Sequence, residues 1–266
     1  MTMTTMTDRF RALHAEGIFV MPNPYDLGSA RLLAALGFPA LASTSSGLAM
    51  TLGRLDMTVD RDEVLDHIRP LAAATDLPLN VDSERCYADD LPGVTETVES
   101  LADAGVAGCS IEDWNPVANS IDPIETAVQR VAAAAAGAAT TGIVLTARCE
   151  NHLHGITDLD DTIARLQAYV GVGAEVVYAP GLADLGQIAR VVNEVDVPVN
   201  VLILPGGPSV AQLGEAGVRR ISTGGLLARI AMGAMVAAAE RLRDDGVVNT
   251  TEPFLSRTLA AQALRD

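Results

Sequence analysis

Short apolar runs recur along the chain, and each leads into a stretch whose apolar residues fall at helical spacing. The runs at 18–21, 40–43, 79–82, 108–111, 143–147, 175–178, 199–203 and 220–222 predict buried strands, being brief and rich in Val, Ile, Leu and Ala. Between them, 26–36, 94–104, 124–136, 159–170, 182–194 and 209–216 predict amphipathic helices. One phrase repeats at the joints. Leu36-Gly37-Phe38-Pro39, Ala104-Gly105-Val106-Ala107 and Ala216-Gly217-Val218 each place Gly where a helix closes in the left-handed conformation and a strand begins. Eight strands alternating with helices over about 230 residues predict a closed (β/α)8 barrel, with a doubly wound open sheet as the alternative. No Pro/Gly/Ser-rich linker divides the chain, so 1–266 reads as a single barrel domain. A long helix over 226–243 follows the last strand. Residues 247–266 then form a C-terminal arm with a short helix over 250–266. Its Phe254, Leu255, Leu259 and Leu264 need cover, from its own barrel or from a neighbour.

Composition narrows the picture. Hydrophobic residues make up 49% and aromatics only 3%, so the core is built from Ala, Val, Leu and Ile, the filling of a parallel sheet under helices. The net charge of −16 excludes nucleic acid and anionic membrane surfaces as partners. A small anionic substrate then needs local help from a metal or an Arg. Cys86, Cys109 and Cys149 show no CxxC spacing and fit a reducing compartment as small packing residues. The first residues lack the basic end and apolar run of a signal peptide, and the Ala-rich run 131–139 is too short to span a bilayer. A soluble, cytoplasmic protein is expected.

Chemistry gathers where the strands end. In a (β/α)8 barrel the active site lies at the C-terminal ends of the strands. Asp82 and Glu84 close the third strand two residues apart, so both carboxylates point to one side. Like charges held so close call for a cation between them, and Mg²⁺ or Mn²⁺ suits carboxylate and water oxygens. A solvated acidic turn is the plainer alternative. The second strand ends in Ser43-Thr44-Ser45-Ser46-Gly47, whose backbone N–H groups can cradle an oxyanion. The fourth ends in Glu112-Asp113-Trp114, and the fifth in Arg148 with Glu150, Asn151, His152 and His154. Polar residues at the same level on independent strands favour one shared mouth. An Arg beside a divalent ion makes a receptor for a small 2-oxo acid. His152 and His154 read as a loop pair over the mouth, or as a metal pair or proton relay. His14 and His67 read as surface residues on helices. The Gly-rich turns 204–209 and 222–225 are either plain strand-to-helix turns or a phosphate site.

In order and spacing, these residues resemble the isocitrate lyase/phosphoenolpyruvate mutase superfamily, on its phosphoenolpyruvate mutase-like branch. The resemblance rests on Pro22-Asn23-Pro24-Tyr25-Asp26, Ser29-Ala30-Arg31, Thr44-Ser45-Ser46-Gly47 and Leu52-Gly53-Arg54-Leu55-Asp56. It continues in Asp82-Ser83-Glu84-Arg85-Cys86-Tyr87-Ala88, Ile111-Glu112-Asp113 and Ala147-Arg148-Cys149-Glu150. It implies a homotetramer of barrels with the terminal helix swapped between subunits. It implies Mg²⁺ near Asp82, Glu84 and Glu112, partly through water. Tyr25, Ser45, Ser46, Gly47, Arg148 and Asn200 would bind substrate, while Arg148, Asp56, Asn119 and Ser120 would serve catalysis. The chemistry implied makes or breaks a P–C or C–C bond next to a 2-oxo acid through a metal-stabilised enolate. The chain departs from the pattern in four places. The lyases' Lys-Lys-Cys-Gly-His loop is replaced by 114–121, which argues against isocitrate and methylisocitrate cleavage. Gly is lost at Cys86 and Ala88, and Pro180 stands where lyases place a Glu. Two other readings stay open: a non-catalytic barrel that binds small acids, and an unrelated metal-dependent aldolase using His152 as base.

Overall fold

The structure, a computed structural model, describes residues 5–247 and 254–264. In chain order the first half runs α1 (Met6–Leu13), β1 (Phe19–Met21), α2 (Leu27–Ala35), β2 (Leu41–Ala42), α3 (Ser45–Thr51), α4 (Arg61–Ala73), β3 (Leu79–Asp82), α5 (Leu91–Asp103) and β4 (Gly108–Glu112). A small ribbon, β5 (Trp114–Asn115) and β6 (Ser120–Ile121), precedes α6 (Ile124–Thr141) and β7 (Val144–Arg148). The chain continues with α7 (Leu159–Gly171), β8 (Val176–Tyr178), α8 (Leu185–Glu194), β9 (Val199–Leu202), α9 (Val210–Glu215), β10 (Arg220–Ser222), α10 (Leu226–Asp245) and α11 (Arg257–Ala263).

Eight strands form one parallel sheet in the order β1-β10-β9-β8-β7-β4-β3-β2. The Ala42 N–H donates to Pro22 C=O at 3.1 Å and draws the two edges together. The result is a nearly closed barrel with helices outside. The eight strands expected from the apolar runs are all present, with ends displaced by a residue or two. The periodicity set no bounds for α1, for the 13-residue α4, for the short α3 or for the β5–β6 ribbon. Helices start where a short polar side chain caps the first turn. Asp26, Thr44, Asp60, Asp90 and Asp184 each accept a backbone N–H at the third helical position.

Alternation along each strand sorts residues to two sides. Val81, Cys109, Ile111, Leu145, Val177, Val201 and Ile221 face the helices in the larger core. Phe19, Met21, Ala40, Ala42, Val144 and Val176 form a separate cluster inside the barrel. Helix α1 plugs this N-terminal end. Its Phe10 is fully buried, with its ring edge-on to His14 and Phe19.

Two surface assignments are corrected here. His14 is only 6% exposed. Its Nε2 lies 3.3 Å from Arg220 Nη1 and its Nδ1 2.8 Å from Phe10 C=O. A guanidinium only donates, so Nε2 accepts and Nδ1 carries the proton. Burial and then Arg220 lower its pKa to about 3, so it is neutral. His67 is half-buried, and burial lowers its pKa too. Both histidines lie on the inner side of helices that α-periodicity alone did not orient.

Helix α10 touches α3, and α11 lies against α2 of the same barrel. Phe254 and Leu264 stay 80% and 46% exposed. Part of the terminal helix expected over 250–266 falls outside the described residues. No helix among the described residues is long and apolar enough to cross a membrane.

Candidate active site

The inward residues change character toward the C-terminal end. Paired positions Glu112, Arg148, Tyr178, Asn200 and Arg220 follow one another across five neighbouring strands. Parallel register thus lays a polar belt across the barrel interior. Arg148 is its hub. Its guanidinium lies 2.5 Å from Asp82 Oδ1, 3.1 Å from Glu112 Oε2 and 2.9 Å from Glu150 Oε1. The Tyr178 ring lies 5.3 Å from the guanidinium carbon. Ser45 donates to Asp82 Oδ2 from both its N–H and its hydroxyl, each at 3.2 Å.

The carboxylates outnumber the cation. Burial, then Asp82 and Asp56, push the Glu84 pKa up to about 8. Burial raises Glu112 well above the carboxylate range and raises Glu150 less, with Arg148 opposing both shifts. Asp56 sits on an exposed turn with its carboxylate turned inward. Partial desolvation and Asp82 raise it as well. Burial disfavours the Arg148 charge, but its acidic neighbours keep it protonated. Four buried or half-buried acids and Asp56 therefore share one Arg. Such a donor set fits a hard divalent cation. Among the described residues no three acids, His or Cys already converge as a ligand cage. Arg148 spans the carboxylates instead. Asp82, Glu84 and Glu112 thus suit an ion that keeps much of its water, as Mg²⁺ does.

A second set of contacts holds the belt in place. Asp113 accepts the Glu150 N–H at 2.8 Å and the Tyr169 hydroxyl at 2.6 Å, with Arg165 at 3.3 Å. This fixes Glu150 beside Arg148. The turn after β3 is strained: Glu84, Cys86 and Tyr87 have φ of 45°, 61° and 51°. These are left-handed values in which Gly is comfortable and other residues are not. Arg130, on α6, clamps this turn by donating to the carbonyls of Arg85 and Ala88 at 2.6 and 2.7 Å. The Ser83 hydroxyl donates to Ser110 C=O, and Thr97 donates to Cys86 C=O at 2.9 Å.

Above the belt opens a cavity of about 790 Å³. Of the residues singled out from sequence, Ser45, Ser46, Asp56, Asp82, Arg148 and Asn200 line it. Glu84 and Glu112 lie buried beside them. Gly47 is buried against Tyr25, which supports the Ser45 turn from behind. Asn119 and Ser120 are exposed on the β5–β6 ribbon and do not line the cavity. Asn200 is bound into the floor, donating to Ser222 at 2.9 Å and accepting from Arg220 at 2.8 Å. His152 lies beside Thr162, and His154 stacks on Trp114 at 3.5 Å; neither lines the cavity. All three cysteines are buried and free, with burial raising each thiol pKa, that of Cys86 to about 12.

The model of the phosphoenolpyruvate phosphomutase family matches residues 10–243. The chain belongs to the phosphoenolpyruvate mutase/isocitrate lyase superfamily. A solved structure from Burkholderia cenocepacia J2315, provisionally named a lyase/mutase, superposes with a TM-score of 0.92. It shares 46% identity, over 96% of this chain and 95% of that one. An oxaloacetate decarboxylase of Paraburkholderia xenovorans (strain LB400) is 32% identical over 77% of this chain and 70% of its own. A phosphonopyruvate hydrolase in complex with oxalate and Mg²⁺ shares the fold, with a TM-score of 0.85 at 21% identity, over 98% and 95% of the two chains.

Tyr178 and Arg220 were not singled out from sequence. Tyr178 looks like the last apolar residue of a buried strand, and only the period-two alternation from Val176 marks it as inward. Its hydroxyl bonds Ser222, and burial raises its pKa, so it holds its proton. The chain's 18 basic residues are all arginine, so no lysine serves the site.

Proposed function

We propose that the protein is a Mg²⁺-dependent carbon–carbon lyase that acts on a small 2-oxo or 2-hydroxy carboxylic acid by way of an enolate. The carboxylates of Asp82, Glu112 and Glu150 paired with Arg148, with Glu84 buried beside them, carry this reading. When bound near those carboxylates, Mg²⁺ supplies positive charge for the oxygen of the forming enolate. Arg148, lining the cavity, would take the substrate carboxylate in a bidentate grip. Ser45 and Asp82 orient one another at the edge of that position. Tyr178, packed on Arg148 and lining the cavity, holds the proton that the enolate carbon receives. With the cysteines buried, the histidines outside the cavity and lysine absent, the proton donors that line the cavity include Tyr178 and Asp56, whose carboxyl pKa is raised, and Tyr178 is the one packed on Arg148.

C–C rather than P–C chemistry is favoured by the likeness to a decarboxylase, and by Asn119 and Ser120, which resemble the gating-loop Asn-Ser of the P–C-cleaving members but lie away from the cavity. Purified protein with Mg²⁺ should turn over at least one of oxaloacetate, 2,3-dimethylmalate and related acids faster than phosphonopyruvate. Turnover of phosphonopyruvate alone would reverse that preference. Absence of turnover on every acid, together with no Mg²⁺ binding by calorimetry, would dismiss the enzyme reading. A second reading is a binding barrel without turnover, favoured by the ion pairs that already occupy Arg148. It expects ligand-induced thermal stabilisation that is indifferent to Asp82→Ala.

A further inference from the structure

In one sector the polar belt gives way to apolar residues directly above it. Asn200 on β9 belongs to the belt, paired with Tyr178 on β8 and Arg220 on β10. Two residues further on, beside Ser222 of β10, β9 carries Leu202. Alternation brings Leu204 to the same side above it. Met50 from α3, Ile203 and Leu226 from the start of α10 complete an apolar wall, and all five line the cavity. Strand order places this wall across the barrel from the acids on β3 and β4, and α3 and α10 are in contact.

Two glycines keep the lobe open. A Cβ at Gly224 would lie 3.1 Å from Leu202 Cδ1, and one at Gly225 would lie 2.6 Å from Ser46 Oγ. The cavity of about 790 Å³ is of the order that holds a drug-sized molecule, roughly 300–1,000 Å³. A three- or four-carbon acid gripped by Arg148 fills only the polar side. Arg229 also lines the cavity, exposed at its rim.

We propose that this lobe is a specificity subsite for an apolar substituent of several carbons, carried on the acid whose carboxylate Arg148 binds. The proposal rests on the acid-binding reading above and names the substrate class more closely: 2-oxo or 2-hydroxy acids with an alkyl branch, rather than bare oxaloacetate or pyruvate units. Buried apolar surface is the only attraction this wall offers, so affinity must climb with chain length.

The test is calorimetric titration of the full chain with Mg²⁺ by oxalate and by N-methyl, N-butyl and N-hexyl oxamate. Affinity should rise roughly two- to fourfold per methylene up to the butyl group. In Leu202→Asn and Leu204→Asn that slope should fall toward zero, each variant being referred to its own oxalate affinity and checked for folding by its melting curve. A flat or falling series in the wild-type protein overturns the subsite. So does tighter binding of an N-carboxyalkyl oxamate than of its alkyl counterpart, which would assign the lobe to a second anionic group on Arg229. If oxalate itself does not bind with Mg²⁺, the acid-and-metal reading fails separately. The lobe is then decided by metal-free thermal stabilisation along the series from pyruvate to 2-oxooctanoate, where a rise with length supports it and a flat response removes it.

Discussion

Two side chains decide whether the belt is a catalyst or a receptor. Tyr178 is wedged between Arg148 and Ser222, and its raised pKa keeps the proton in place across the working pH range. Tyr178→Phe keeps the ring that packs on Arg148 and removes only the O–H. The expected result is a fall in kcat on the order of 10²–10⁴-fold, with KM within a few-fold, in steady-state kinetics. A fall in KM-linked binding alone would make Tyr178 a wall of the site and nothing more. Glu84 offers a second test, free of substrate. Its folded pKa of about 8 lies above the ordinary 4.5, so the fold holds a proton that the unfolded chain gives up. That contribution is complete below about pH 4.5 and is lost as pH rises through 8. Metal-free protein should therefore lose a few degrees of Tm between pH 5 and 8.5 that Glu84→Gln does not lose. Mg²⁺ affinity should rise over the same window, because binding must displace the proton.

At the scale of elements, the strand ends matter less than the segments that hold them. The turn after β3 keeps left-handed backbone at Glu84, Cys86 and Tyr87 with no glycine to relieve it, at a cost of order 1–3 kcal/mol per strained residue. Something else must hold it, and Arg130 does, reaching across from α6 to carbonyls at 2.6 and 2.7 Å. Arg130→Met leaves those buried carbonyls unpaired. It should cost about 2–4 kcal/mol by urea denaturation. It should also weaken Mg²⁺ binding, although Arg130 is bonded to the turn and not to the acids. Unchanged metal affinity in a folded Arg130→Met would show that the turn holds its shape unaided. The long strands and helices could be read from period, since burial on one face imposes it. Arg130 could not, because its place on an Ala-rich helix says nothing of what lies opposite. The same reason hid Arg220, a charged residue opening a strand whose neighbours Asn200, Thr146 and His14 come from three distant segments. Asn119 and Ser120 were the converse: the right residue types in the right order, carried by the β5–β6 ribbon to an exposed position.

The whole molecule is strongly acidic, with a net charge of −16, and it concentrates five acids at one mouth, three of them paired with Arg148. Such a field opposes entry of a small dianion and favours entry of Mg²⁺. If the proposed function holds, the charge of the fold as a whole sets the order of binding: metal first, acid second. Before the metal arrives, Arg148 is held by Asp82, Glu112 and Glu150 and has little to give a carboxylate. On the proposed reading, a metal held by those acids would leave the guanidinium free to face the cavity. Oxalate titrated into metal-free protein should bind at least tenfold more weakly than in saturating Mg²⁺, and raising the salt should narrow the gap by screening the long-range share. By linkage, oxalate must tighten Mg²⁺ binding by the same factor, which a titration in the reverse order measures independently. Equal oxalate affinity with and without Mg²⁺ would mean that Arg148 is available from the start, and that the carboxylates around it serve to position the arginine and do not hold a metal.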